Sequence, residues 1–123
     1  MWTLTRTDEF EKRFRKWPKK YGRELAAMMQ HLETVLDALR RGATVESIRT
    51  FGFVHSEPGQ LLALDQKGGG TGLKQSRLYI YPDKSIEVVH VITMGFKKTQ
   101  PSDIQFAVGV VAELIAESDE KAG

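Results

Sequence analysis

The sequence predicts an α+β domain with two N-terminal helices, a three- to four-stranded antiparallel sheet and a C-terminal helix. Apolar residues recur at helical spacing up to residue 40 and again after residue 100, which predicts the helices. Short apolar or alternating runs separated by turn residues occupy 60–94 and predict the strands. The chain has 123 residues, of which 41% are hydrophobic and 28% charged, so a single domain spanning 1–123 is expected.

The two N-terminal helices meet at a proline. The first is predicted to begin at Thr7 or Asp8, either of which can cap it, and to end at Pro18. Its apolar stripe consists of Phe10, Phe14 and Trp17. The second helix is predicted over about 21–40, with Gly42 as its stop. Its apolar face consists of Leu25, Met28, Met29, Leu32, Leu36 and Leu39.

The central part of the chain predicts the sheet. Residues 43–59 predict an irregular link, and strands are expected at 60–64, 73–81 and 86–94. The glycine-rich segment 67–72 lacks the spacing of a phosphate-binding loop and is interpreted as a hairpin connection. In the second strand Leu78 and Ile80 should face one way, and the residues expected on the other face are Arg77, Tyr79 and Tyr81.

The C-terminal part predicts the last helix. It should begin near Gln100, with Pro101 close to its first position, and 117–123 should form a disordered tail. Residues 1–54 contain eleven Lys and Arg against seven Asp and Glu, whereas 103–123 contain one against five. Such a distribution is compatible with a polyanion binding one face, although a solvated surface explains it as well.

Composition excludes several kinds of site. The chain has no cysteine, so disulfides and thiolate metal sites are excluded. Histidines 31, 55 and 90 show no ligand spacing, so neither a metal nor another cofactor is expected. No apolar run reaches the roughly 20 residues that span a bilayer, and no signal-peptide core is recognised, so a cytoplasmic location without a membrane partner is expected.

Three segments carry a resemblance to a known family. Residues 7–11, TDEFE, resemble the opening of HigB-like proteins. Residues 77–81, RLYIY, resemble a strand of the RelE family that carries arginine and tyrosine. Residues 88–92, VVHVI, with 96–100, FKKTQ, resemble the strand and basic segment before that family's last helix. The chain thus resembles the RelE/HigB-like toxins of type II toxin–antitoxin systems, in the RelE/ParE superfamily.

The resemblance implies a function and partners. RelE-like toxins enter the ribosome and cleave bound messenger RNA without a metal, so that the ribose 2′-hydroxyl attacks the neighbouring phosphate. The implied activity is therefore that of an endoribonuclease, which inhibits translation by cleaving messenger RNA. The implied partners are the ribosome, messenger RNA and a cognate antitoxin protein.

The resemblance also implies site residues. Arg77, Lys97 and Lys98 match the family's phosphate-binding and catalytic cations. RNA contacts are expected from Lys74, and from Tyr79 and Tyr81 by base stacking, although the tyrosines can equally be cross-strand packing partners. His55 and His90 are candidate acid–base groups, and His90 also fits a hydrogen-bonded core position.

Two departures from the family pattern leave alternatives open. Ile104 stands where the last helix often carries a catalytic tyrosine, and residues 62–64, LAL, stand where strand lysines are common. Both departures are compatible with a ParE-like inhibitor of DNA gyrase that has no chemistry of its own. They are also compatible with a degenerate, non-toxic interaction module.

Overall fold

The computed structural model describes residues 1–66 and 72–122 and confirms an α+β fold with a C-terminal helix. Its strands are β1 Thr3–Arg6, β2 Val54–Ser56, β3 Leu62–Gln66, β4 Ser76–Asp83 and β5 Val88–Phe96. Its helices are α1 Asp8–Lys16, α2 Pro18–Arg40, α3 Val45–Ile48 and α4 Gln100–Ala122, with short 3₁₀ turns at Pro58–Gln60 and Lys97–Thr99. The connection predicted at 67–72 lies outside the described residues except for Gly72.

The sheet is mixed and has five strands in the order β1-β5-β4-β3-β2. The prediction of a three- to four-stranded antiparallel sheet was wrong in two places. β1 pairs parallel to β5, from Thr3 with Val88 to Arg6 with Val91, and β2 lies within the segment predicted to be irregular. Both added strands are short edge strands, whose pairing depends on distant partners and leaves little signal in their own residues.

The predicted strands are present with shifted ends. β4 continues through Pro82, where a turn was expected, to Asp83, and the chain reverses at 84–87. Pairing with β3 stops at Ile80, so Pro82 has a strand neighbour on one side only. Proline is tolerated at this position because it has no N–H to donate, and on the open side no neighbouring strand among the described residues is present to accept such a hydrogen bond.

The N-terminal helices follow the predicted pattern. Thr7 caps α1, because its Oγ1 accepts a hydrogen bond from the N–H of Phe10 at 3.0 Å. Pro18 is the first residue of α2, where its missing N–H has no cost, and Tyr21 marks a kink with φ −125° and ψ 34°. Gly42 takes a φ of +103° just after α2, as the predicted stop requires.

The two faces of the sheet are covered by different helices. α1, α2 and α3 pack on the face that carries Leu78 and Ile80, and the predicted stripes of α1 and α2 belong to this core. α4 packs on the face that carries Tyr79 and Tyr81, as the predicted alternation of β4 requires. β4 is the central strand, and its neighbour β5 is also covered on both faces; full burial of each large apolar side chain contributes about 1.5–3 kcal/mol.

α4 begins at the predicted residue and is longer than predicted. Its apolar face, which includes Ala107 and Val111, lies on the sheet. The helix continues to Ala122, past Glu117, where the sequence analysis places the start of a disordered tail. No helix in the described part of the chain combines the length and hydropathy needed to cross a membrane.

Candidate active site

Arg77 is held by two carboxylates at the end of the sheet next to the start of α4. It lies opposite Asp65 in the register of β3 and β4, and its Nε is 3.5 Å from Asp65 Oδ1. One terminal guanidinium nitrogen donates a hydrogen bond to Glu57 Oε1 at 3.3 Å. The Arg77 side chain is 21% exposed, so solvent reaches it from one side.

His55 contacts the same aspartate from the neighbouring strand. It lies opposite Ala63 in the register of β2 and β3, and Ala63 and Asp65 share a face of the sheet because side chains alternate along a strand. The His55 Nε2 is 3.3 Å from Asp65 Oδ2, and the His55 side chain is 40% exposed. Asp65 thus contacts Arg77 with one oxygen and His55 with the other. These residues form the Asp65 cluster: His55, Glu57, Asp65 and Arg77.

Lys97 joins this cluster across a small cleft. The cleft has a volume of about 140 Å³, and its lining includes Asp65, Arg77, Lys97 and Gln100. Lys97 lies in the 3₁₀ turn between β5 and α4 and is exposed. Lys98 is also exposed but is not part of the cleft lining, so the structure brings only one of the two predicted lysines to Arg77.

Asp103 fixes the beginning of α4, and therefore the turn that carries Lys97. Its carboxylate accepts hydrogen bonds from Thr99 Oγ1 at 2.7 Å and from a terminal nitrogen of Arg13 at 3.0 Å. Arg13 also donates to the carbonyl oxygen of Met94 in β5. Asp103 is 3% exposed, so this polar contact is part of the packed interior.

Tyr79 and Tyr81 lie under α4, with 1% and 6% of their surface exposed. The expectation that they stack on RNA bases is therefore not met in this structure, and the alternative of packing partners describes their environment. Burial raises the pKa of Tyr79 to about 12 and also raises the pKa of Tyr81. The Tyr79 phenol stays protonated at neutral pH, so it cannot act as a base there.

His90 lies apart from the Asp65 cluster. It pairs with Tyr81, four residues from Arg77 along β4, or roughly 13 Å at strand spacing. Its ring stacks on the Tyr81 ring at 5.6 Å between centroids, and its Nδ1 is 2.8 Å from Thr5 Oγ1. Burial lowers the pKa of His90, which favours the neutral ring.

Lys74 approaches the sheet from another side. Its backbone N–H donates to Glu24 Oε2 in α2 at 3.0 Å. Its ammonium lies 5.5 Å from the ring centroid of Tyr21 and 5.7 Å from that of Phe96. The structure thus places the ammonium of Lys74 beside two aromatic rings.

Asp65 is the residue that the sequence analysis missed. The strand predicted at 60–64 ended before it, whereas β3 extends to Gln66 and puts Asp65 opposite Arg77. Only the residue-by-residue pairing of β3 with β4 would have indicated that Asp65 lies beside Arg77. From the sequence no role is assigned to Glu57, which the structure places 3.3 Å from a terminal nitrogen of Arg77.

The Asp65 cluster combines groups that suit acid–base chemistry on an anion. A neutral imidazole can accept a proton, and an adjacent carboxylate stabilises the imidazolium that results. Arg77 and Lys97 supply two cations, and Asp65 and Glu57 balance their charge. In residues 1–66 and 72–122 no three histidine, aspartate or glutamate side chains are grouped so as to hold a metal ion.

Comparison with known proteins adds no relative to this description. Neither a model of a known protein family nor a curated protein matches the chain.

Proposed function

We propose that this chain is a RelE/HigB-like toxin of a type II toxin–antitoxin system, and that it cleaves messenger RNA on the ribosome. The observation that carries the proposal is that Asp65 contacts both His55 and Arg77 and that Asp65 and Arg77 share a cleft with Lys97, so that four separate segments of the chain contribute. The α+β fold with a C-terminal helix is compatible with the resemblance described above. A cytoplasmic location and a cognate antitoxin belong to the same proposal.

The proposed reaction needs a base, an acid and a cation. His55 removes the proton from a ribose 2′-hydroxyl, whose oxygen forms a bond to the adjacent phosphorus. The bond from phosphorus to the 5′-oxygen breaks, and that oxygen takes a proton from the ammonium of Lys97. The products are a 2′,3′-cyclic phosphate and a 5′-hydroxyl, so atoms and charge balance without a co-reactant.

Arg77 stabilises the phosphate while keeping its carboxylate partners. A guanidinium has five N–H donors, and the contacts with Asp65 and Glu57 engage two nitrogens. Donors therefore remain for phosphate oxygens, on which negative charge builds up in the transition state. Asp65 acts as a positioning residue, because it contacts both Arg77 and His55.

The test is to induce the protein in a bacterium and to map messenger 5′ ends on translated and untranslated reporters. Wild type should give new ends only in translated message, and Arg77→Ala and Lys97→Ala should each lose most of them. The matched control is Lys84→Ala, which removes an exposed lysine paired with Glu46 away from the cleft. Cleavage by both cleft variants at the wild-type level would refute the proposed site.

A second candidate is a ParE-like inhibitor of DNA gyrase. The observation that favours it is the charge balance of the cluster, in which Asp65 and Glu57 offset Arg77 and Lys97. This function predicts growth arrest and DNA damage without new messenger ends. Absence of both arrest and cleavage would instead indicate a degenerate interaction module.

A further inference from the structure

A groove between the N-terminal helices and the end of β5 has an aromatic floor and a cationic rim. Its volume is about 450 Å³, within the range of small-ligand sites. We name it the Trp17 groove and define it by Lys16, Trp17, Lys20, Tyr21, Met94 and Phe96.

Three aromatic rings form the floor. Trp17 and Phe96 are stacked, with ring centroids 4.4 Å apart and an angle of 7° between the planes. Tyr21 meets Phe96 edge-on at 4.5 Å. Trp17 is 8% exposed, whereas Tyr21 and Phe96 are half-buried and have the Lys74 ammonium 5.5 and 5.7 Å from their ring centroids, so the accessible floor is the part of these two rings that Lys74 leaves uncovered. A floor of this kind suits a planar, apolar ligand group.

Two lysines on the rim make the groove complementary to an anion. Lys16 ends α1 and Lys20 lies in the first turn of α2, and both are exposed. Neither forms an ion pair with a carboxylate of the described residues. Lys20 instead lies 5.6 Å from the Tyr21 ring centroid. Arg13, which also lines the groove, is already paired with Asp103 and Glu9.

The groove and the cleft of the Asp65 cluster lie on either side of one short turn. Phe96 and Thr99 line the groove, while Lys97, between them in the chain, lines the cleft. A polynucleotide with a phosphate at Lys97 would therefore pass close to the aromatic floor. A ligand that joins planar apolar groups to regularly spaced anions, as single-stranded RNA does, matches the floor, the rim and the neighbouring cleft together.

We propose that the Trp17 groove binds a nucleobase of single-stranded RNA, with the flanking phosphates on Lys16 and Lys20. The proposal rests on the proposed function for its choice of RNA, and it assigns the position of a nucleotide next to the cleavage site. The groove would add affinity and fix the register of the strand relative to Arg77.

Binding can be measured apart from cleavage with a single-stranded RNA that is 2′-O-methylated throughout, because this probe lacks the attacking hydroxyl. Fluorescence anisotropy gives the affinity of the labelled probe for the full-length protein. In a Trp2→Phe background Trp17 is the only tryptophan of the chain, so quenching of its emission reports a base in the groove. Circular dichroism checks that each variant is folded.

The decisive variant is Lys16→Ala with Lys20→Ala, and its matched control is Lys12→Ala with Lys19→Ala. All four lysines are exposed and both pairs change the charge equally, but Lys12 and Lys19 do not line the groove. The groove pair should weaken binding about tenfold or more and lower the slope of log affinity against log salt by roughly 1.4, the value for two phosphate contacts on a single strand. The control pair should change affinity about twofold.

Three results would overturn the proposal: equal losses for the two pairs, no quenching of Trp17 when the probe is bound, or equal competition by an acidic peptide. Failure of the proposed function looks different, since RNA would then bind in the groove while messenger ends stay unchanged in cells. The converse pattern, cleavage that depends on Arg77 without binding that depends on Lys16 and Lys20, would reject the groove alone.

Discussion

The carboxylate of Asp103 lies against the backbone of Gly95, so that no side chain fits at Gly95. A Cβ at this position would overlap Asp103 Oδ2 and lie 2.9 Å from Thr99 Oγ1. Asp103 cannot withdraw easily, because Arg13 and Thr99 both donate hydrogen bonds to it. The close approach holds the start of α4 against β5 and so fixes the turn that carries Lys97.

Gly95→Ala should lower the free energy of unfolding by about 1–3 kcal/mol, the usual cost of an overpacked interior. Urea denaturation followed by circular dichroism measures this change. Gly109→Ala in α4 is the control, because Gly109 is exposed and an added Cβ meets nothing within 4 Å. It should raise stability by roughly 0.5–1 kcal/mol, since alanine favours a helix interior. A Gly95→Ala protein as stable as wild type would contradict the packing described here.

Asp65→Asn should reduce cleavage of translated message about 10- to 100-fold, a part of what a general base contributes. The amide keeps the shape of the side chain but loses the negative charge that lies 3.5 Å from Arg77 Nε and 3.3 Å from His55 Nε2. Quantified 5′-end mapping at equal protein levels measures the effect. Asp37→Asn, an exposed change on α2, should cleave like wild type. If the two variants cleaved equally well, Asp65 would have no positioning role.

The protein should lose stability as the pH falls from about 7.5 to 5.5. In the folded state, burial lowers the pKa values of His31 and His90 below the usual 6.5. These two side chains therefore bind protons more readily in the unfolded chain. Their contribution is complete above the unfolded pKa and is lost as the pH falls below it. Urea midpoints across this range measure the loss, and His31→Gln with His90→Gln should make it smaller. An unchanged loss in the double variant would assign it to other groups.

Tyr79 should remain protonated in the folded protein up to about pH 11, because burial raises its pKa to about 12. Its contribution to stability is complete below about pH 10 and is lost as the pH rises through 12. Tyr79→Phe should therefore leave the near-ultraviolet phenolate absorbance of the folded protein unchanged up to about pH 11. In urea the same variant should lose one third of that absorbance, because the chain has three tyrosines. If Tyr79→Phe reduced the phenolate absorbance of the folded protein already below about pH 11, Tyr79 would be accessible to solvent.

Local periodicity was sufficient to predict most elements but not their partners. The stripe of α2 and the alternation of β4 depend on neighbouring residues, and both predictions were confirmed. β1 has four exposed residues and acquires its strand geometry from β5, more than 80 residues away, so its own sequence carries almost no signal.

The candidate site shows the same contrast between what local sequence predicts and what depends on contacts between distant segments. Arg77 and Lys97 were found from the resemblance, and the structure brings them to one cleft. Asp65 was missed because its importance comes from pairing with β4, and the access of bases to Tyr79 was misjudged because α4 covers that face. Strand register and helix placement are properties of the assembled sheet, and no short segment encodes them.

The parallel pairing of β1 with β5 has a consequence for synthesis of the chain. Residues 3–6 are synthesised before their strand partners, residues 88–91, and Arg13 of α1 is synthesised before its partner Asp103. The complete five-stranded sheet and the anchor of α4 can therefore form only after residues 88–103 have been synthesised. A nascent chain interrupted before β5 would lack both the turn that carries Lys97 and the strand that holds its own N-terminus. Any activity that depends on the cleft thus requires a chain that extends at least to Gln100, the last residue of the cleft lining.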